Sequence, residues 1–517
     1  MHVLGAARPA APGGLPVPDD ESGRYSARRV PAWLLFVGVL LVTACCWALL
    51  QHMLPYLGHD EAVYATKGRS WLTGEPAAQW DPRRAPGLPA LAYVALAVSP
   101  TVGAVRTVGL ALLLATLVVV YLAASAWGVG RHRAVVAVML VVSGVGFFRR
   151  IPEFLSDIPA AGLLVAVAAL VIRTHERPRS RSLLGAPVLA LAALYVRHGA
   201  LAGLAAIGLA AVVVWGPRRW LRQGSRLVAA AGIFLAGLVP HLAYAWQVTG
   251  SPIGLLVAAG RSTTPAYVGD GLVYYVTELP REAAGPVGAL VTGAGLVATL
   301  VAARRLIAVR RRAGWSEPGR LRDSEPYRLR DIERDRRTTF LGLAAVILVL
   351  LHGLTAHGEA RFIFFSLILA TVLGVDALTR WARRWRTVAL GGLAACALLM
   401  LRLDMWLMNS TLTRITQERE SLVAVAGHVS EPRGCVVVTS YQPEIGWYSG
   451  CRTMSFAQAR DAGIPGGVVS SVLFQRGRDQ PSLGEVRRLA GTRAVSVVQL
   501  TSAGALGPVR IVRYEDR

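Results

Sequence analysis

Pro86-Gly87-Leu88-Pro89-Ala90-Leu91-Ala92-Tyr93-Val94-Ala95-Leu96-Ala97-Val98-Ser99-Pro100 is the stretch on which the reading of the whole chain turns. It is apolar for about 14 residues, short of the ~20 that a helix needs to cross a bilayer. Other apolar runs, at 31–54, 101–127, 133–148, 155–173, 183–196, 200–215, 226–249, 283–303, 338–356, 361–379 and 387–408, read as membrane spans. Between them lie five arginine-rich links: Arg131/Arg133, Arg173 to Arg181, Arg218 to Arg226, Arg304 to Arg337 and Arg380 to Arg386. Cytoplasmic loops collect Lys and Arg. All five links fall on one side only if 86–100 does not cross; a crossing there would invert every later loop and expel the 304–337 cluster. The stretch therefore reads as a re-entrant or interfacial helix. The expectation is an α-helical polytopic membrane protein of about eleven spans, N-terminus cytoplasmic and C-terminus external.

Composition agrees. Of 517 residues, 54% are hydrophobic, and the net charge of +24 resides mainly in the links between apolar runs, where topology needs it rather than nucleic acid. Lys67 is the only lysine among the 55 basic residues, which reads as coding bias rather than a functional choice. Residues 1–30 are rich in Pro, Gly and Arg without periodicity and read as a disordered cytoplasmic tail. The first span is too long for a signal-peptide core and no small-residue cleavage site follows it. Residues 409–517 differ in kind: Cys435 to Ser440 and Arg493 to Leu500 read as strands and Ser482 to Ala490 as a helix, giving a small external α/β domain. Cys435 and Cys451 share it, and an oxidising exterior favours a disulfide between them over two unpaired core thiols. There is no internal repeat, Walker loop, dinucleotide fingerprint, His-Glu-x-x-His or Cys-x-x-Cys.

This topology gathers polar groups on the external face. His59-Asp60-Glu61 lies where the first span leaves the bilayer. Asp60 is a preferred helix N-cap residue, yet ionisable groups beside membrane helices tend to be functional or paired, and an acid pair there suits a base or a cation ligand. Asp157 opens the next external-to-internal span, again as a cap or a site acid, with Glu153 nearby. Arg197-His198 is an abrupt polar break between two apolar runs, fit for a phosphate contact or a snorkelling arginine. His357-Gly358-Glu359-Ala360-Arg361-Phe362 is far more polar than a short turn needs. Arg361 suits a bidentate phosphate contact with His357 donating beside it, or an interfacial ion pair with Glu359.

The pattern resembles the GT-C superfamily of polyprenyl-phosphate-sugar-dependent glycosyltransferases, nearest to the protein O-mannosyltransferase and aminoarabinose-transferase type. The resemblance rests on Asp60-Glu61-Ala62-Val63-Tyr64, Arg84-Ala85-Pro86-Gly87-Leu88-Pro89, Asp157, and the 357–362 run, which also looks like the His-x-Glu-x-Arg-Phe of lipid-linked mannosyltransferases. It covers about residues 31–408, expected as the catalytic membrane domain, with 409–517 as a separate domain. Missing are the Asp-x-Asp and Trp-Trp-Asp of oligosaccharyltransferases, which argues against N-glycosylation. The resemblance implies an inverting transfer of a hexose or pentose, mannose included, to an acceptor hydroxyl on a lipid, protein or polysaccharide. Asp60 would serve as base with Glu61 in support, and Asp157 would position the acceptor. Arg361, His357, Arg197 and His198 would hold the donor phosphate; Tyr64, Arg84 and Glu359 would line the acceptor loops. No cofactor is demanded; a divalent metal, if used, would fall to Asp60 and Asp157. The rival readings are a flippase or transporter of lipid-linked glycans, which would place charge at mid-membrane with repeat symmetry, and a non-catalytic cell-envelope scaffold.

Overall fold

A computed structural model of the chain describes residues 30–74, 80, 83–177, 180–261, 264–313, 326–431, 434–501 and 504–515. Apart from Val30, the tail expected over 1–30 lies outside them. In lipid no water satisfies the backbone, so a spanning segment must bond its N–H and C=O groups internally, and helices dominate. The first, α1 (Ala32–Met53), is apolar throughout. Its Leu41 is 61% exposed, as a lipid-facing side chain can be. A short joint leads to α2 (His59–Thr73), which packs along α3 (Gly87–Val98). Gly68 permits that approach, since a Cβ there would stand 2.8 Å from the Tyr93 amide nitrogen. Helix α3, the decisive apolar stretch, is about 18 Å long at 1.5 Å per residue, too short to cross ~30 Å of hydrocarbon.

There follow α4 (Val102–Ala126), α5 (Arg131–Val142), α6 (Val145–Phe148), α7 (Asp157–Glu176), α8 (Ser182–Val196), α9 (Ala200–Trp215), α10 (Pro217–Leu221) and α11 (Gly224–Thr249). Beyond them come α12 (Gly254–Arg261), α13 (Asp270–Thr277), a π turn at Leu279–Ala283, α14 (Gly285–Ala313) and α15 (Pro326–Thr355). A 3-10 turn, Ala360–Ile363, then opens α16 (Phe364–Trp381), which a second such turn joins to α17 (Arg386–Val429). Among the described residues, eight helices are long and apolar enough to cross a membrane, and α3, α8 and α9 are shorter apolar helices. The run expected to span at 133–148 is two helices, interrupted at Ser143-Gly144. Buried side chains of α1, α4, α5, α7, α9, α15 and α16 form the main apolar core.

Helix α17 has 44 residues and runs through the boundary expected at 408/409. The polar stretch after Asn409 imitates a linker in the sequence. In the fold it stays helical, and its last turns bury Leu422, Val425, Ala426 and Val429 in the C-terminal domain. That domain contains β1 (Val436–Val438), α18 (Gln442–Ser449), β2 (Arg452–Met454), α19 (Phe456–Ala462), β3 (Val469–Phe474), α20 (Leu483–Leu489), β4 (Ala494–Leu500) and β5 (Val509–Glu515). The sheet order is β2-β1-β3-β5-β4, with β1 parallel to both neighbours and β5 antiparallel to β3 and β4. One face packs on α17 and α18, the other on α19 and α20. Ser482 caps α20 in a reciprocal capping box with Glu485. Cys435 and Cys451 are joined by a disulfide that closes a loop around β1 and α18.

Candidate active site

The joint between α1 and α2 is non-helical backbone beside the membrane bundle, so its polar groups need partners from elsewhere. Arg106, on α4 and 0% exposed, donates to the carbonyls of Leu54 and Tyr56 and to Gln51. On α17, Thr416 donates to the Met53 carbonyl at 2.6 Å and Arg419 to that of Tyr56 at 2.8 Å. The Leu57 amide donates to the Tyr448 hydroxyl at 2.7 Å. This scaffold fixes where α2 begins, and thereby where its two acids point.

Successive helical residues turn by about 100°, so Asp60 and Glu61 face different surroundings. Glu61 is turned inward. It accepts from Arg106 Nε and Nη2, the Gly58 amide and the Phe154 amide, each at 2.9 Å, and is 1% exposed. Burial opposes its charge, but Arg106 outweighs that and holds its carboxyl below the usual range. The catalytic support expected of Glu61 is thus replaced by anchoring: its lone pairs are committed to tying α2, α4 and the loop before Asp157 together.

Asp60 instead faces two guanidinium groups. Arg84 Nη1 donates to its Oδ1 at 2.9 Å and Arg361 Nη1 to its Oδ2 at 2.8 Å. Burial pushes its pKa up, yet Arg361 and Arg84 together hold it well below the ordinary carboxylate range. Gly58, not Asp60, is the N-cap of α2, so the capping role weighed for Asp60 falls away. Asp157 opens α7, is 3% exposed, pairs with Arg197 and lies 3.9 Å from Arg361. Arg197 also donates to Ser156 Oγ at 3.3 Å and lies over the Phe362 ring at 5.2 Å. Glu359 forms an ion pair with Arg361, 2.6 Å from its Nε, and meets Arg150 at 3.4 Å. Arg150 reaches Glu153 at 2.6 Å, and Glu153 lies 3.6 Å from Arg419. The result is one net of six arginines and five carboxylates drawn from distant parts of the chain.

Tyr64 is buried with the Arg84 guanidinium 5.6 Å from its ring. His198 is buried, its Nδ1 2.7 Å from the Arg83 carbonyl and its ring 4.9 Å from that of His241. Burial lowers its pKa to about 4 against that hydrogen bond, so it is neutral at pH 7 and contributes no charge to a phosphate. Because the Arg83 carbonyl takes the Nδ1 proton, Nε2 carries the lone pair and cannot donate. His357 is exposed and meets Phe362 edge-on at 5.5 Å, outside the net. The phosphate donors expected of His198 and His357 are therefore not arranged as such. Arg106, Arg150, Glu153 and Arg419 were not expected to join the site. Local signals for three of them exist in the sequence: Glu153 close to Asp157, Arg106 inside an apolar run, and the cation pair Arg149-Arg150 between two spans.

Two cavities flank the net. One, of about 520 Å³, has Tyr64, Arg84, Arg197, His198 and Phe362 at its polar end and continues past Leu201, Ala205, Leu256 and Leu351. The other, of about 410 Å³, is lined by His59, Arg150, Glu153, Arg419 and Glu444 together with Met408, Leu412 and Ile415. Asp60 and Asp157 do not suit a divalent cation: both Asp60 oxygens and Asp157 Oδ1 accept from guanidinium groups, and Arg361 lies 3.9 Å from Asp157 Oδ2, so three nearby positive charges would repel one. The net suits an anion. Among the described residues, no group of three or more His, Cys, Asp or Glu could hold a metal ion.

No protein-family model matches the chain, and no curated protein matches it in sequence. The likeness found lies in the fold. ArnT from Cupriavidus metallidurans bound to undecaprenyl phosphate matches with a TM-score of 0.63 at 15% identity, covering 93% of this chain and 97% of that one. ArnT from the same organism in the apo state matches with a TM-score of 0.63 at 14% identity over the same shares. The chain therefore shares its overall fold with ArnT, over 93% of its length.

Proposed function

We propose that this protein is a membrane glycosyltransferase that moves a sugar from a polyprenyl-phosphate donor to an acceptor hydroxyl. The observation that carries the proposal is the setting of Asp60: a carboxylate shared by Arg361 and by Arg84, which with Arg197 lines a cavity that has an apolar extension. The ArnT-like fold, and the undecaprenyl phosphate bound to one ArnT structure, support the same reading.

The donor phosphate enters the first cavity and competes for Arg84, Arg197 and Arg361 through charge-assisted hydrogen bonds. The isoprenoid chain lies along the apolar side chains of α9, α12 and α15. Drawing the guanidinium groups onto phosphate relieves Asp60 of the charges that suppress its basicity. A carboxylate so held is a weak base; released, it accepts the acceptor's proton. The acceptor, coming from the second cavity, attacks the anomeric carbon through its hydroxyl oxygen. The bond from that carbon to the phosphate oxygen breaks, its electron pair leaves with the polyprenyl phosphate, and the proton passes to Asp60. The arginines stabilise the charge that grows on the departing phosphate. One displacement inverts the anomeric centre. Asp157 holds Arg197 and Arg361 in place for this step.

The sugar is a hexose or pentose, mannose included, and the acceptor a lipid, protein or polysaccharide hydroxyl. The membrane orientation belongs to the same proposal: N-terminus and 304–337 cytoplasmic, the net and residues 409–517 external. Reporter fusions at Gly319 and Gly463 should then score on opposite sides, and a shared side would refute the orientation. The activity is tested by incubating membranes containing the chain with labelled polyprenyl-phosphate sugars. Label should leave the donor for an acceptor; donors that stay intact with every sugar tried would refute the transferase reading.

A further inference from the structure

The C-terminal domain carries no part of the ion net, yet it touches the helix that carries Asp60. Helix α2 begins outside the bundle, and its principal packing partners are α3 and α18, not a membrane-spanning helix. Its residues sort by face. Tyr64 lines the first cavity, Asp60 turns to Arg84 and Arg361 and Glu61 to Arg106, while His59 and Arg69 turn to α18. Arg69 Nη1 donates to the Trp447 carbonyl and Nη2 to the Gly446 carbonyl, both at 2.8 Å, and the guanidinium lies 4.6 Å from the Trp447 ring. Those carbonyls belong to the last turn of α18, where intrahelical donors run out and the helix end carries partial negative charge. Gly450, at φ 72°, closes that end in the left-handed conformation; its amide donates to the Gly446 carbonyl, which Arg69 shares. At the start of α2, the Tyr448 hydroxyl takes the Leu57 amide, and Glu444 lies 3.4 Å from His59 Nδ1. Helix α18 thus grips α2 at both ends. It is itself confined within the loop that the Cys435–Cys451 disulfide closes.

We infer that the C-terminal domain serves the reaction as a clamp on α2, with Arg69 as the positioning residue that holds Asp60 in register with Arg84 and Arg361. The inference rests on the transferase reading for its kinetic consequence, but not for its structural one. Asp60 meets guanidinium groups from two other elements, and catalytic groups tolerate little misplacement: about 1 Å can cost on the order of 100-fold in rate. A helix that packs chiefly on α3 and α18 transmits a shift of α18 to Asp60. The donor cavity draws most of its lining from other elements, so donor affinity should be insulated.

The test uses the full-length protein in detergent or nanodiscs, carrying Arg69→Ala, Arg69→Lys or Tyr448→Phe. For Arg69→Ala we expect amide hydrogen exchange across Ala62–Ser70 to quicken about tenfold or more, with α4 and α7 unchanged. Turnover should fall by a similar factor, while undecaprenyl phosphate binds within about twofold of wild type. Arg69→Lys keeps the charge but loses the fork and should recover part of both. Reducing the disulfide should act in the same direction as Arg69→Ala. Unchanged exchange in α2, or faster exchange with full turnover, overturns the clamp. Should Arg69→Ala fail to fold, Tyr448→Phe decides through exchange at the Leu57 amide, which must quicken if the clamp is real. A wild-type chain that moves no sugar defeats the transferase reading instead, and α2 exchange still decides whether α18 holds α2.

Discussion

Two clusters of arginine and carboxylate lie in this molecule, and only one of them has the makings of a site. Around Asp376, on α16, Arg133 donates at 2.7 Å, Arg380 closes a second pair one helical turn away, and Arg334 lies 3.7 Å off. Around Asp60, Arg84 and Arg361 make pairs of the same kind and length. Both acids are shared among several guanidinium groups. The difference is in what surrounds them. Asp376 lies on a helix packed into the main core, and neither of the two cavities beside Asp60 reaches it. The Asp60 net separates two cavities, and its arginines form the polar end of one. Fifteen residues of helix, roughly 22 Å at 1.5 Å per residue, part Asp376 from Arg361. Charge pairing alone therefore does not mark a site; pairing that a ligand can enter and exchange does.

The contrast is broken most forcefully at the carboxylates. Replacing Asp60 with Asn keeps the size and removes the basic oxygen, so turnover should fall about 100-fold or more, with donor affinity little changed. Near-normal transfer by that variant, measured with labelled donor, would put Asp60 on the same footing as Asp376. A smaller effect concerns pH. Arg84 and Arg361 hold the Asp60 carboxyl well below its ordinary range, so the carboxylate stays ionised throughout mild acid. The acid limb of kcat/KM for the free enzyme should accordingly lie below about 3.9, the unperturbed aspartate value. Arg84→Ala removes one of the two charges, raises the pKa and should move that limb upward by about one unit or more. A limb that stays put would mean that Asp60 is not the titrating base. The smallest kinetic effect belongs to Asp376→Asn. It should lower the melting temperature, because arginines buried against the acid lose their partner. Turnover of the folded protein should stay within about twofold, as expected for a distant, independent position.

Much of the contrast is legible in the sequence. Arginine distribution along the chain and the shortness of 86–100 were enough to bring Asp60, Asp157, Arg197, Glu359 and Arg361 to one face, and the structure joins these five in one net. What the sequence does not show is direction. Asp60 and Glu61 look equivalent as neighbours, but one step of about 100° around α2 sends one to Arg84 and Arg361 and the other into Arg106. Which acid goes where depends on how α2 docks, and that is set by residues hundreds of positions away, such as Arg419 and Tyr448. His357 illustrates the same limit: a polar residue in the right link need not face the link's cavity. The end of the membrane region is hidden for another reason. Loss of hydrophobicity after Met408 reads as the end of a helix, whereas α17 merely passes from one surrounding to another.

The central claim, that the Asp60 net receives a polyprenyl phosphate, is tested most directly by titrating undecaprenyl phosphate into purified protein. The account predicts saturable binding that Arg361→Ala weakens by about 1.5–3 kcal/mol, the worth of a charge-assisted hydrogen bond, and that Asp376→Asn leaves unchanged. Equal affinity in all three proteins, or no saturable binding by the wild type, would contradict it.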